Sequence, residues 1–179
     1  MHRIVGSIVS LVQHLSTVFT DPEVYRPAAC PHCGRAGVWG HGCYHRKADR
    51  THSDDDESLN PVPVLRFLCP GCTHTCSRLP ACIAPRRWFD WVVQQAVLLL
   101  LLGGASLRHC ERCSGRDRHT VRRWRDWLQE RNERFAFFLR SRFPELGRWA
   151  DFESFWRHVI EDVSLQQAFA WLDRDLDVP

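Results

Sequence analysis

Two Cys-x-x-Cys pairs, Cys30-Pro-His-Cys33 and Cys69-Pro-Gly-Cys72, constrain this chain more than any other feature. The two-residue spacing lets both thiolates of a pair approach one ion from a tight turn, and two such turns complete a tetrahedral four-sulfur shell. Four thiolates leave no open position for water or substrate, so the ion expected at Cys30, Cys33, Cys69 and Cys72 is structural Zn²⁺. The competing reading is a set of buried thiols. A redox pair is less favoured, because neither pair stands at a helix start after a buried strand. His32, His41, Cys43, His45, His74 and Cys76 lie close by as substitute ligands, each read first as a strand or surface residue.

Nine cysteines in 179 residues are many, but the odd count and the two knuckle-like pairs favour metal in a reducing, cytoplasmic compartment over a disulfide framework. A third pair, Cys110-Glu-Arg-Cys113, lacks Pro or Gly and falls inside a predicted helix, where Leu107 and Cys110 share a face. Small core residues are the plainer reading there, and Cys82 is read as another packed thiol.

With 44% hydrophobic residues the chain can bury a core, and the pattern reads as α+β. Ile4, Ile8, Leu11, Leu15 and Val18 predict an amphipathic helix over 3–18, closed by Thr20-Asp-Pro. Strand-like pieces follow at 38–46, 62–68 and 73–79, separated by an acidic insert over 49–60 that reads as a solvated loop. Pro85 opens a predicted helix over 86–102 that Gly103-Gly104 stops. The apolar run from Val97 to Leu102 is far short of the roughly 20 residues a spanning helix needs, so it is read as buried and no membrane is expected. A short helix over 106–113, the turn Ser114-Gly115, and a long helix capped by Asp117 and continuing toward Arg142 come next. Two further helices are expected over 151–163 and from Ser164, where Ser164 and Gln167 form a capping-box pattern.

Net charge is only +3, but its distribution is uneven. Residues 103–150 carry twelve basic and six acidic groups, whereas residues 151–179 carry two and seven. All basic residues but Lys47 are Arg, which suits bidentate contacts to phosphate and guanine and also fits a compositional bias. In the helix after Asp117, a 100° wheel gathers Val121, Trp124 and Leu128 on one side and turns His119, Arg122, Arg123 and Asp126 the other way. A short helix, a glycine-bearing turn and an Arg-dense second helix is the order of a helix-turn-helix. His119, Arg122, Arg123 and Asp126 are then candidates for base edges, and Arg116, Arg118 and Arg125 for phosphates. The alternative is a solvated face in which Arg122, Arg123 and Arg125 pair with Asp126, Glu130 and Glu133.

Cys30-Pro-His-Cys33-Gly, His41-Gly-Cys-Tyr-His-Arg46, Arg66-Phe-Leu-Cys69-Pro-Gly-Cys72, Thr75-Cys-Ser-Arg-Leu-Pro80 and Thr120-Val-Arg-Arg-Trp124 together resemble the N-terminal DNA-binding region of bacterial insertion-sequence transposases and related short stand-alone zinc-ribbon proteins. The resemblance covers roughly residues 28–130, with Cys76 where an aromatic and Arg116 where an apolar residue is usual. It implies a ribbon holding structural zinc and a helix-turn-helix recognising element ends or related sites. About fifty residues follow the recognition helix, too few for the ribonuclease-H-like catalytic domain of such enzymes. Asp151, Glu153, Glu161 and Asp162 fit an exposed helix face better than a metal-dependent nuclease site, so no catalysis is expected.

The expected arrangement is an N-terminal helix (1–27), a zinc ribbon (28–84), a helix-turn-helix domain (85–143) and acidic C-terminal helices (144–179) in a bacterial, cytoplasmic protein that binds double-stranded DNA. The C-terminal aromatic residues Phe155, Trp156, Phe169 and Trp171 either pack on the domain, mediate a homodimer or meet a partner protein. The rival function is an adaptor or accessory subunit of a transposition or regulatory complex.

Overall fold

The computed structural model describes residues 3–48, 59–84 and 89–176. They form a mixed α+β protein of seven α-helices and five short strands, organised as two compact units: residues 1–90 with 173–179, and residues 91–172.

In the first unit, β1 (Ile4–Val5) pairs in parallel with β5 (Leu79–Pro80), while β2 (Trp39–Arg46), β3 (Val62–Leu68) and β4 (Thr75–Cys76) form an antiparallel sheet in that order. Helix α1 covers only Leu11–Thr20, shorter than the helix expected over 3–18. Ser10 accepts the backbone N–H of Gln13 and so sets its first turn, leaving the β-branched Ile4 and Val5 to be buried in strand pairing instead. The strand-like piece at 73–79 likewise resolves into two short strands, β4 and β5, with Ser77 and Arg78 outside both. Most of the acidic insert over 49–60 lies outside the described residues.

Among the described residues, two small clusters form part of the core of this unit. One joins Val5, Ile8, Tyr25, Val38 and Phe67 to Cys30 and Cys69; the other joins Ala48, Val62, Val64, Leu79 and Ile83, with Leu11 and Leu15 of α1 against it. His14, which reads in the sequence as an interruption of the apolar pattern, is buried, with Nδ1 2.6 Å from the Tyr25 hydroxyl and Nε2 2.8 Å from the Pro63 carbonyl. Burial lowers its pKa, against the opposing pull of the Pro63 carbonyl.

The second unit begins with α2 (Trp91–Leu102). It starts later than the helix expected from Arg86: Phe89 and Asp90 are not helical, and residues 85–88 lie outside the described residues. Asp90 directly before Trp91 is a residue type favoured at such a start. Helices α3 (Leu107–Ser114), α4 (Arg118–Glu130) and α5 (Asn132–Arg142) follow, and α2, α3 and α4 pack on one another. The long helix expected to run from Asp117 toward Arg142 is two helices broken at Arg131 (φ −106°, ψ 2°). The apolar stripe Val121, Trp124, Leu128 continues in phase through Phe135 and Leu139, so the hydrophobic period carries no sign of the break.

Asp151 caps α6 (Phe152–His158), a π-helical turn covers Val159–Val163, and Ser164, at φ 76°, precedes α7 (Leu165–Asp175) and accepts the N–H of Gln167. Phe155, Trp156 and Phe169 are buried with Phe135 in an aromatic core, and the Trp156 indole N–H donates to Asn132 Oδ1 at 2.9 Å. Among the described residues no helix is long and apolar enough to cross a membrane.

Candidate functional site

The two cysteine turns are built alike. Cys30 donates its backbone N–H to Arg35 O and accepts from Gly34 N–H; Cys69 donates to His74 O and accepts from Thr73 N–H, all at 2.8–3.0 Å. Each turn needs left-handed backbone at its fourth following residue: Gly34 has φ 74° and Thr73 has φ 59°. Glycine adopts that region freely, but a β-branched threonine is strained there.

This repeated turn brings the ligand atoms of Cys30, Cys33, Cys69 and Cys72 within 4.8 Å of one another. Sγ of Cys30 lies 3.6 Å from that of Cys72, and Sγ of Cys33 lies 3.6 Å from that of Cys69. A tetrahedron drawn with Zn–S bonds of about 2.3 Å has an edge of about 3.8 Å. The separations match that edge and are far longer than the ~2.05 Å of a disulfide.

The acidity of the cluster points the same way. Backbone N–H groups, Cys72's first, draw the Cys69 thiol down to about 6. At Cys72 the backbone of His74 pulls downward, but burial and the thiols of Cys33, Cys30 and Cys69 prevail and push it up to about 12. Four sulfurs this close cannot all carry charge unless a cation sits among them. The donor set therefore fits a divalent metal ion such as zinc, held by these four residues. The bound ion would supply a cross-link between the two turns rather than a reactive site.

Of the substitute ligands, His32 and His74 lie beside the centre with rings stacked 3.8 Å apart, and their ligand atoms approach Cys72 within 4.8 Å. His41, Cys43 and His45 are exposed on β2. Cys76 is half-buried, and burial raises its thiol pKa.

The basic helices of the second unit are also shaped by local rules. Ser106 caps α3 by accepting the His109 N–H, Gly115 ends it at φ 65°, and Asp117 caps α4 by accepting the His119 N–H at 2.8 Å. Val121, Trp124 and Leu128 are buried, together with Cys110 of α3. Cys113, by contrast, is exposed, with Sγ 3.4 Å from His109 Nε2. Arg118, His119, Arg122 and Arg123 are exposed, while Arg116, Arg125 and Asp126 are half-buried. Arg118 pairs with Glu111 at 3.0 Å, and Arg125 pairs with its neighbour Asp126 at 2.8 Å. Among the described residues, neither Arg122 nor Arg123 makes an ion pair or a hydrogen bond through its guanidinium. Asp151 accepts the Ser154 N–H, and Glu153, Glu161 and Asp162 are exposed; these four carboxylates form no shared ion site among the described residues.

The sequence gives no role to one grouping of side chains: Tyr44 and Arg46 line a cleft beside the four-cysteine cluster together with Arg3, His32 and His74. The only sequence signal for it is the two-residue spacing of Tyr44 and Arg46 on a strand. No family model matches this chain, and neither a curated protein nor a solved structure matches it.

Proposed function

We infer that the protein is a non-catalytic, zinc-stabilised DNA-binding protein. Cys30, Cys33, Cys69 and Cys72 hold structural Zn²⁺ in a zinc ribbon, and α3, the Gly115 turn and α4 act as a helix-turn-helix on duplex DNA. The observation that carries this reading is the state of Arg122 and Arg123, exposed and without ion-pair partners among the described residues while the opposite face of α4 is buried. In a face whose charges pair with one another, Arg122 and Arg123 would meet Asp126 at helical spacing. Among the described residues Asp126 pairs with adjacent Arg125, and Glu130 with Arg131, which leaves Arg122 and Arg123 to the ligand.

His119, Arg122 and Arg123 face base edges in the major groove, with Arg116, Arg118 and Arg125 on the backbone. Asp126 serves chiefly to orient Arg125. The Arg118–Glu111 and Arg125–Asp126 pairs lie at the surface and are weak, so a phosphate displaces the carboxylates at little cost. The order of ribbon and helix pair is that of the transposase regions resembled, and element ends or regulatory sites are the proposed target class.

The test is a titration of zinc-loaded protein on random and selected duplexes at about 50 and 200 mM salt, alongside an Arg122→Ala/Arg123→Ala variant. Affinity should fall steeply with salt, and the variant should bind at least about tenfold more weakly. Absence of duplex binding, or a variant that binds like wild type, overturns the reading.

A further inference from the structure

Residues 24–48 and 59–84 contain no Asp or Glu, yet they hold Arg26, Arg35, Arg46, Lys47, Arg66 and Arg78 and four histidines. Acidic residues elsewhere in the unit, several of them in the insert over 49–60, offset these cations overall, so any pull on an anion is local to where the basic side chains gather. Within the unit, a cleft of about 410 Å³ opens beside the four-cysteine cluster. Among the described residues no carboxylate lines it.

The bulge in β2 between Gly40 and Cys43 sets which side chains reach this cleft. Beyond the bulge Tyr44 pairs with Val64 and Arg46 with Val62, so Tyr44 and Arg46 share one face of the strand. Tyr44 is 39% exposed. Arg46 donates to the Ala84 carbonyl at 2.8 Å and bonds to Tyr44, and burial lowers its pKa. A partly buried guanidinium gains from an incoming anion, because that anion offsets its lost hydration. Arg3 and the stacked rings of His32 and His74 line the same cleft.

Aromatic faces beside guanidinium groups are what a nucleotide needs: a surface for the base and donors for the phosphate. Bases in a duplex present only their edges in the grooves, so a ring-lined cleft takes a base only from an unpaired strand. We propose that this cleft binds one unpaired nucleotide of a nucleic-acid strand, its base against Tyr44 and the His32–His74 stack and its phosphate on Arg46 and Arg3. The surface is separate from the one assigned to α4 and takes a different form of nucleic acid.

Fluorescence anisotropy of the full-length, zinc-loaded protein with labelled dT8 and rU8 tests this, with a duplex of random sequence measured alongside. At least one single strand should bind, and the tighter of the two identifies DNA or RNA as the source of the nucleotide. Tyr44→Ala should weaken that binding about tenfold, within the range of one lost base–aromatic stack. Arg46→Gln should weaken it too and lower the salt slope by about 0.7, the share of one phosphate on a single strand. Zinc content serves as the folding control, and if Arg46→Gln loses zinc, the more exposed Tyr44 decides. Failure of both oligonucleotides to bind, or a Tyr44→Ala variant that binds them like wild type, overturns the proposal. Duplex binding without single-strand binding sinks this inference alone; single-strand binding without duplex binding leaves it standing and sinks the helix-turn-helix reading.

Discussion

Among the largest fully buried side chains, the first unit contributes Tyr25 and Ile83, whereas the second contributes Trp156, Phe135, Phe155, Phe169 and a run of leucines. The helical unit has a single aromatic core of the ordinary kind, in which large rings meet edge-to-face or offset. Among the described residues of the N-terminal unit, smaller clusters take the place of such a core, and one of them includes Cys30 and Cys69. Its candidate metal ligands and its core are thus partly the same residues. A bound ion there would add, in a unit with little apolar area to bury, what packing supplies in the other.

That contrast is most directly broken by removing the metal. Structural zinc contributes on the order of 10–16 kcal/mol in small zinc domains, against total stabilities of roughly 5–15 kcal/mol. Chelation, or Cys69→Ser, should therefore abolish hydrogen-exchange protection in β3 while α4 and α5 keep theirs. Simultaneous loss in both units would show that they do not differ in this way. The converse change is Trp156→Ala, which empties the centre of the aromatic core and strands Asn132 Oδ1 without its donor. A cost of roughly 3–5 kcal/mol is expected in thermal melts, with zinc content unchanged.

A smaller effect sharpens the account of the metal turns themselves. Thr73 occupies the left-handed position that Gly34 fills in the sister turn. Thr73→Gly should relieve strain of about 1 kcal/mol and tighten zinc about fivefold in competition with a chromophoric chelator, while Gly34→Thr should shift affinity the other way. The smallest effect concerns His14. Its pKa is held below the ordinary 6.5 by burial, so the unfolded chain takes up a proton that the folded chain resists. Its contribution to stability is complete above about pH 6.5 and is lost as pH falls through the folded value. Urea midpoints at fixed zinc should decline more steeply between pH 7.5 and 5.5 in wild type than in His14→Gln.

How much of this is readable in the sequence depends on the range of the interaction. Cys-x-x-Cys spacing is local chemistry, and the four sulfurs do come together. The stripe of Val121, Trp124 and Leu128 follows from helical period alone, and β3 spans the expected Val62–Leu68. By contrast, Ile4 and Val5 read as the start of a helix because their partners, Leu79 and Pro80, lie far along the chain. His14 is polar and breaks an apolar pattern, and only the Tyr25 hydroxyl and Pro63 carbonyl make its burial tolerable. The cleft depends on a bulge in β2, and one extra residue decides which face Tyr44 and Arg46 share. The break at Arg131 preserves the phase of the apolar stripe, so no periodicity argument could find it.

The neck between β2 and β3 has a further consequence. Arg46 pairs with Val62, and the Ala48 N–H donates to Asn60 Oδ1 at 2.6 Å, so the two ends of the connection are fastened to each other whatever lies between them. Loop-closure entropy grows only with the logarithm of length, and a doubling costs about 0.6 kcal/mol. A reporter grafted between Ala48 and Asn60 should thus leave both cysteine turns in registration.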